Sequence, residues 1–149
     1  MLYIASDHAG FELKKFLVDR LKDTLKTPFE DLGPSTFVKD DDYPDFAVAV
    51  AKQVAKNKEN LGILICGSGQ GMCIAANKIK GIRAILGSSI KETEMGRKDN
   101  DANILCLAAR VLSTEHALAI VKTFLNTAFD NQERRIRRLE KISKLENNL

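Results

Sequence analysis

Residues 65–72 read ICGSGQGM, so an apolar run ends in Cys66 and is followed by Gly67, Gly69 and Gly71. Alternating glycines let a backbone turn tightly and aim its N–H groups at a ligand oxygen. A helix beginning near Gly71 adds its positive end to the same spot. Donors of this kind suit an oxyanion that develops during a reaction. Two readings of Cys66 stand at this point: a packed cysteine at a strand end, or a reactive thiol beside an anion-binding loop. Three familiar phosphate motifs do not fit. The dinucleotide fingerprint GxGxxG has Met72 where its third glycine belongs. A P-loop needs a lysine after its last glycine, and a phosphatase loop needs an arginine at the position of Met72.

Other chemistry-bearing residues are sparse. The chain has three cysteines and two histidines, His8 and His116. Cys73 falls in a helical stretch and Cys106 lies between Leu105 and Leu107, so both read as packing. The cysteine spacing fits neither a disulfide framework nor a zinc site, and a metal cluster is not expected. Arg134 and Arg138 are four apart and share a helix face, flanked by Arg135 and Arg137. That face reads either as solvated or as a grip for one phosphate, which needs only two or three such donors.

The elements that must position these residues follow from periodicity. Apolar runs at 2–6, 28–33, 61–66, 82–87 and 103–109 predict strands. Helical spacing covers 11–25, 45–56, a short segment from Gly71, 89–98, 116–129 and 133–146. The continuous run LGILIC (61–66) marks a strand covered on both faces. Strands alternating with helices predict an α/β chain, one domain over 1–149, with a five-stranded parallel sheet between two helical layers. Ligands in such sheets bind beyond the carboxyl ends of the strands. The residues just past those ends are Asp7, His8, Tyr43, Cys66 to Gly71 and Arg110, and Asp99-Asn100-Asp101 is a further candidate for that edge.

Bulk properties narrow the function classes. The formal net charge is +3, and residues 131–149 alone carry six Lys/Arg against three Glu, so the remainder is neutral. Basic residues confined to one segment, 6% aromatics and no Trp argue against nucleic acid. No stretch approaches the ~20 apolar residues of a membrane span, and the start MLYIASDHAG does not read as a secretory leader. A reducing cytoplasm is the expected compartment.

The segments SDHAGFELK (6–14), DYPDFA (42–47), GILICGSGQGMCIAANKIKGIRA (62–84) and NDANILCLAAR (100–110) resemble the ribose-5-phosphate isomerase type B family. That family also contains allose-6-phosphate isomerases and galactose-6-phosphate isomerase subunits. The resemblance covers nearly the whole chain and implies a Rossmann-like fold without metal or organic cofactor. It implies a homodimer, or a dimer of dimers, with sites shared between subunits and the C-terminal helix (about 131–146) reaching a partner. Cys66 matches the base that moves a proton between C1 and C2 of an open-chain sugar through a cis-enediolate. Gly67, Ser68, Gly69 and Gly71 match the loop that holds the enediolate oxygens, with Ser68 where many members have Thr. Asp7 matches a contact to sugar hydroxyls, Tyr43 a pocket wall and Asn100 a neighbour of the C1 oxygen. His8, Arg110, Arg134 and Arg138 match phosphate ligands.

Two departures stand out. Asp99 occupies the place of a histidine credited with opening the sugar ring. Asn131-Gln132-Glu133-Arg134-Arg135 replaces a GGRH-like run and keeps only its first arginine. The resemblance therefore implies ribose 5-phosphate to ribulose 5-phosphate isomerisation. The alternatives are a six-carbon sugar phosphate and a non-catalytic sugar-phosphate-binding homologue.

Overall fold

A computed structural model describes residues 1–147. Its five strands are β1 (Leu2–Ser6), β2 (Phe29–Asp31), β3 (Leu61–Cys66), β4 (Ala84–Leu86) and β5 (Ile104–Ala108). The helices are α1 (Phe11–Asp23), α2 (Tyr43–Val54), α3 (Gln70–Ala76), α4 (Ile90–Asn100), α5 (Thr114–Asn126) and α6 (Glu133–Asn147). All strand pairs are parallel, in the order β2-β1-β3-β5-β4. The chain leaves β1 toward β2 on one side and returns to β3 on the other. The resulting switch point lies between the ends of β1 and β3, where open parallel sheets leave a crevice.

Side chains alternate across the sheet and divide the core in two. Leu2, Ile4, Ile63, Ile65, Leu105 and Leu107 pack against α1 and α5 through Leu13, Leu17, Leu21, Ile120, Val121 and Phe124. Ala5, Leu64, Cys66, Ile104 and Cys106 face α2 and α3 through Ala47, Val50, Ala51, Val54, Met72 and Ala76. Cys66 thus points into the α2/α3 layer. The edge strands β2 and β4 hold three residues each, fewer than their apolar runs suggest, because each pairs on one side only. Helix α2 starts two residues earlier than its periodicity indicates, with Pro44 in the first turn. Ser89 and Ser113 cap α4 and α5 by accepting the N–H groups of Glu92 and His116. His116 is thereby placed on the exposed first turn of α5.

One polar side chain ties the α1 layer to the segment ahead of α2. Lys14 is 2% exposed. Its ammonium donates to both Asp31 carboxylate oxygens at 2.8 and 2.9 Å and to the Pro34 carbonyl at 2.7 Å. All three of its protons are used, which offsets the cost of taking a lysine out of water. Asp31 is partly exposed, so water would replace some of what it loses. Lys14→Met is expected to lower stability by about 2 kcal/mol in urea denaturation, and to speed proteolysis within residues 32–42. An unchanged midpoint and cleavage pattern would show that the lysine anchors nothing.

Candidate active site

Three strand exits converge at one edge of the sheet. Their backbones stay bonded past the strands: Asp7 N–H to Ile65 O at 3.1 Å, Ala109 N–H to Cys66 O at 2.9 Å and Arg110 N–H to Gly67 O at 3.0 Å. The Cys66 residue is 4% exposed, and its Sγ accepts the Gly69 N–H at 3.2 Å. Gly69 has φ +72°, and a Cβ there would lie 2.6 Å from Leu86 Cδ1 and 3.0 Å from the Leu107 carbonyl carbon. Only glycine fits this turn, on both conformation and space. Ser68 is exposed and its Oγ accepts the Gln70 N–H at 3.3 Å, which leaves its own proton to donate.

The rim carries the residues expected there. The Arg110 guanidinium lies over Gly67, where an added Cβ would be 2.9 Å from Nη1. The Tyr43 ring lies against Gly71, with Cζ 2.7 Å from such a Cβ. Asp7 is 5% exposed and its Oδ1 accepts the Gly10 N–H at 3.0 Å, which fixes the turn into α1. Asp41 was not legible as a site residue in the sequence. Its Oδ1 lies 2.8 Å from both the His8 N–H and the His8 Nδ1. The hydrogen bond to Asp41 raises the His8 pKa above the ordinary imidazole value, with Asp7 and Asp40 adding to it and partial burial opposing it. Asp7, His8 and Asp41 thus lie together, with side-chain N and O atoms of the three within 4.8 Å of one another. In this structure Oδ1 of each carboxylate is already committed to an N–H group. Burial pushes the Cys106 thiol well above its usual value, with the Cys73 hydrogen bond adding to it, so Cys106 is a packed side chain.

Asp99 and Asn100 are not at this edge. They form the last turn of α4, not a loop, and α4 ends just ahead of β5. The residues leading into β5 bond to the start of β3: Gly62 N–H donates to Asn103 O at 2.8 Å. Gly62 pairs with Ile104 and Cys66 with Ala108. Cys66 is therefore four residues further along, roughly 13 Å away, with the core between. A residue just before a parallel strand sits at its amino edge, opposite the carboxyl edge that carries Cys66.

Arg134 and Arg138 belong to the same far edge. Arg135, between them, is 13% exposed and bonds Asp99 at 2.7 Å and Asp130 at 2.6 Å. It also donates to Lys98 O at 3.2 Å, so it fastens the start of α6 to the end of α4. The other end of α6 is held where Glu146 accepts the Gly81 N–H at 3.1 Å, ahead of β4. No described residue of α6 is buried, and Ile136, Ile142 and Leu145 are exposed along it.

A family model described as Ribose/Galactose Isomerase matches residues 2–142. A probable ribose-5-phosphate isomerase B of Mycoplasma genitalium is 46% identical over 146 residues, covering 97% of this chain and 95% of the relative. The chain belongs to the ribose/galactose isomerase family. The crystal structure of the Mycoplasma genitalium ribose-5-phosphate isomerase B with bound ribulose-5-phosphate matches with TM-score 0.94 at 45% identity, covering 99% of this chain and 97% of that one. The Clostridium thermocellum ribose-5-phosphate isomerase B matches with TM-score 0.93 at 40% identity, covering 99% and 97%. The family also holds a D-erythrulose-4-phosphate isomerase 2 of Mycolicibacterium smegmatis, 39% identical over 132 residues, 88% of this chain and 87% of the relative. Substrate chain length therefore differs among ribose/galactose isomerases of this similarity. Among the described residues, no helix is long and apolar enough to cross a membrane.

The Arg135 cluster generates a direct expectation for this family member. Arg135→Ala should raise amide hydrogen exchange in peptides from 133–147 by about tenfold, while Arg137→Ala, on the exposed face, should not. Equal exchange in the two variants would mean that α6 is held by something other than the Asp99–Arg135–Asp130 cluster.

Proposed function

We propose that this chain interconverts ribose 5-phosphate and ribulose 5-phosphate, in a reducing compartment. The observation that carries the reading is the Cys66 sulfur, bonded to Gly69 N–H at 3.2 Å at the mouth of a glycine loop. It stands in a chain nearly half identical, end to end, to a ribose-5-phosphate isomerase B. In the proposed reaction the Cys66 thiolate takes the proton from C2 of the open-chain aldose. The C2–H electron pair forms the C1–C2 double bond, and the carbonyl π pair moves to O1. Backbone N–H groups of the 67–71 loop meet that developing charge. A proton passes from O2 to O1, a transfer Ser68 is free to mediate, and the Cys66 thiol returns its proton to C1. Asp7 binds sugar hydroxyls and Tyr43 walls the pocket. His8 and Arg110 hold the phosphate, whose fixed position orients the reacting carbons.

The same reading accounts for the far-edge residues through a second copy of the chain. Asp99, Asn100, Arg134 and Arg138 cannot reach Cys66 within a protomer, so in this reading a symmetric homodimer brings them to the partner's carboxyl edge. The exposed apolar residues of α6 are the surface such a dimer would cover. Asp99, paired to Arg135, would be a weakened base toward the anomeric hydroxyl, because the guanidinium favours its ionised form; the proton it takes would then pass to the ring oxygen as the C1–O bond breaks. Ring opening is the step where this chain would differ most from relatives with a histidine.

Cys66→Ala is expected to lower turnover by at least about 10³-fold and to abolish exchange of the substrate C2 proton in heavy water. Phosphate binding and the melting curve should stay near wild type. Wild-type turnover in this variant would remove Cys66 as the base. Parallel assays of four-, five- and six-carbon aldose phosphates should favour the pentose, and a preference for another length would correct the substrate. Arg134→Ala should raise KM roughly tenfold and Lys144→Ala hardly at all.

Mixing tests the shared site directly. Cys66→Ala protomers and Arg134→Ala/Arg138→Ala protomers, each weak alone, should recover roughly a quarter of wild-type kcat/KM after subunit exchange. No recovery, with exchange verified, would place both sets of residues in separate sites.

A further inference from the structure

Asp41 carries no role in the reaction as described so far, yet it is the best-placed partner of a proposed phosphate ligand. Its side chain is 9% exposed. Oδ1 takes two bonds from His8, one from the backbone N–H and one at Nδ1, both 2.8 Å. Oδ2 is buried without a hydrogen-bond partner. A carboxylate removed from water with one oxygen unpaired is costly unless a cation faces it. The group that faces it is the His8 ring. An ionised carboxylate only accepts, so the proton in this bond sits on Nδ1. Nε2 has no partner among the described residues and remains for the substrate. Two bonds to one oxygen, one from the main chain and one from the ring, fix the ring's orientation relative to its own backbone. Phe37 adds an edge contact at 6.5 Å between centroids.

We propose that Asp41 is a positioning residue of the sugar-phosphate site, holding His8 so that its Nε2–H donates to the substrate phosphate. The proposal rests on the reading of His8 as a phosphate ligand. Its consequence is a pH dependence whose sign is fixed. His8 is held above the ordinary imidazole value by Asp41 first, with Asp7 and Asp40 contributing and partial burial opposing. The imidazolium's grip is complete at pH below the ordinary value and fades as pH climbs through the raised one. Without the carboxylate, the fade moves to lower pH. Around His8, Asp7 comes from the end of β1, and Asp40 and Asp41 from the segment before α2. Cys66 and Arg110 reach the same rim from β3 and β5. On α1, Lys14 is turned away to Asp31 and Pro34.

The test uses the full chain with Asp41→Asn, and Asp40→Asn as control. Asp40 is exposed with φ +60°, a conformation asparagine adopts readily, and it makes no hydrogen bond to His8. The chain has two histidines, so 15N-labelled imidazole spectra give two titrations, with His116 as internal reference. In Asp41→Asn, His8 should lose its proton at lower pH than in wild type, and in Asp40→Asn close to wild type. KM for ribose 5-phosphate should rise roughly tenfold in Asp41→Asn at pH 8 and less than about twofold near pH 5.5, with kcat little changed. The substrate's own phosphate titration is common to all variants and cancels in the ratio. An unshifted His8 titration, or a KM ratio independent of pH, overturns the role of Asp41. If His8→Asn leaves KM unchanged, the phosphate-ligand reading fails instead, and the imidazole titration still decides whether Asp41 controls His8.

Discussion

The turn from β3 into α3 is the constraint on which the site depends. Gly69 N–H can reach Cys66 Sγ because the backbone at Gly69 is left-handed and lies against Leu86 and the Leu107 main chain. The loop is sunk between strand ends, and any side chain at that position would lift it out. The bonds from Asp7 to Ile65, from Ala109 to Cys66 and from Arg110 to Gly67 extend this turn sideways. They continue the sheet's ladder beyond β1, β3 and β5. Acid, imidazole, thiol and guanidinium are thereby carried to one rim on main chain that cannot shift independently. Rigid main chain, more than any one side chain, is what allows donors to be aimed in advance at a charge that exists only during reaction.

The parallel sheet that builds this rim also divides the chain's polar chemistry. Every turn from strand to helix opens at the carboxyl edge, and every turn from helix to strand at the amino edge. Asp7, Cys66 and Arg110 are of the first kind; Asp99, Asn100 and the anchors of α6 are of the second. Flexing one protomer cannot join the two sets, because the core layers packed on β3 and β5 lie between them. In the proposed reading, only a second copy of the chain could bring an amino edge to this carboxyl edge without deforming either. The basic helix α6 is fixed at its start by Arg135 and near its end by Glu146, both at the amino edge.

What could be read from the sequence followed from the same geometry. Apolar runs locate strands, strands of a parallel sheet locate exits, and the exits named Asp7, His8, Cys66 and Arg110. The position of Asp99 was open to the same rule, since a residue just before a strand belongs to the amino edge. Its expected place at the carboxyl edge came from reading the polar run Asp99-Asn100-Asp101 as a loop, whereas Asp99 and Asn100 close the last turn of α4. Asp41 was not legible for a different reason. It stands in the run Asp40-Asp41-Asp42, which looks like a solvated loop, and its partner is 33 positions away. Lys14 was hidden likewise: it falls in an amphipathic helix whose polar positions normally face water, and its burial depends on Asp31 and Pro34.

Two cation–carboxylate pairs make the division of labour concrete. Arg135–Asp99 and His8–Asp41 have similar lengths, 2.7 and 2.8 Å, and each joins elements that the sequence separates. A guanidinium keeps its proton at any pH a folded protein meets, so the first pair is a fixed strut. An imidazole does not, so the second pair holds a charge that can be withdrawn. The strut stands where α6 must keep one orientation. The withdrawable charge stands at the rim beside Cys66 and Arg110, where the proposed reading places the substrate phosphate. Exchanging the two cations would put a permanent charge on the rim and a titrating joint under α6, so that the anchorage of the helix, and not the charge of the rim, would depend on pH.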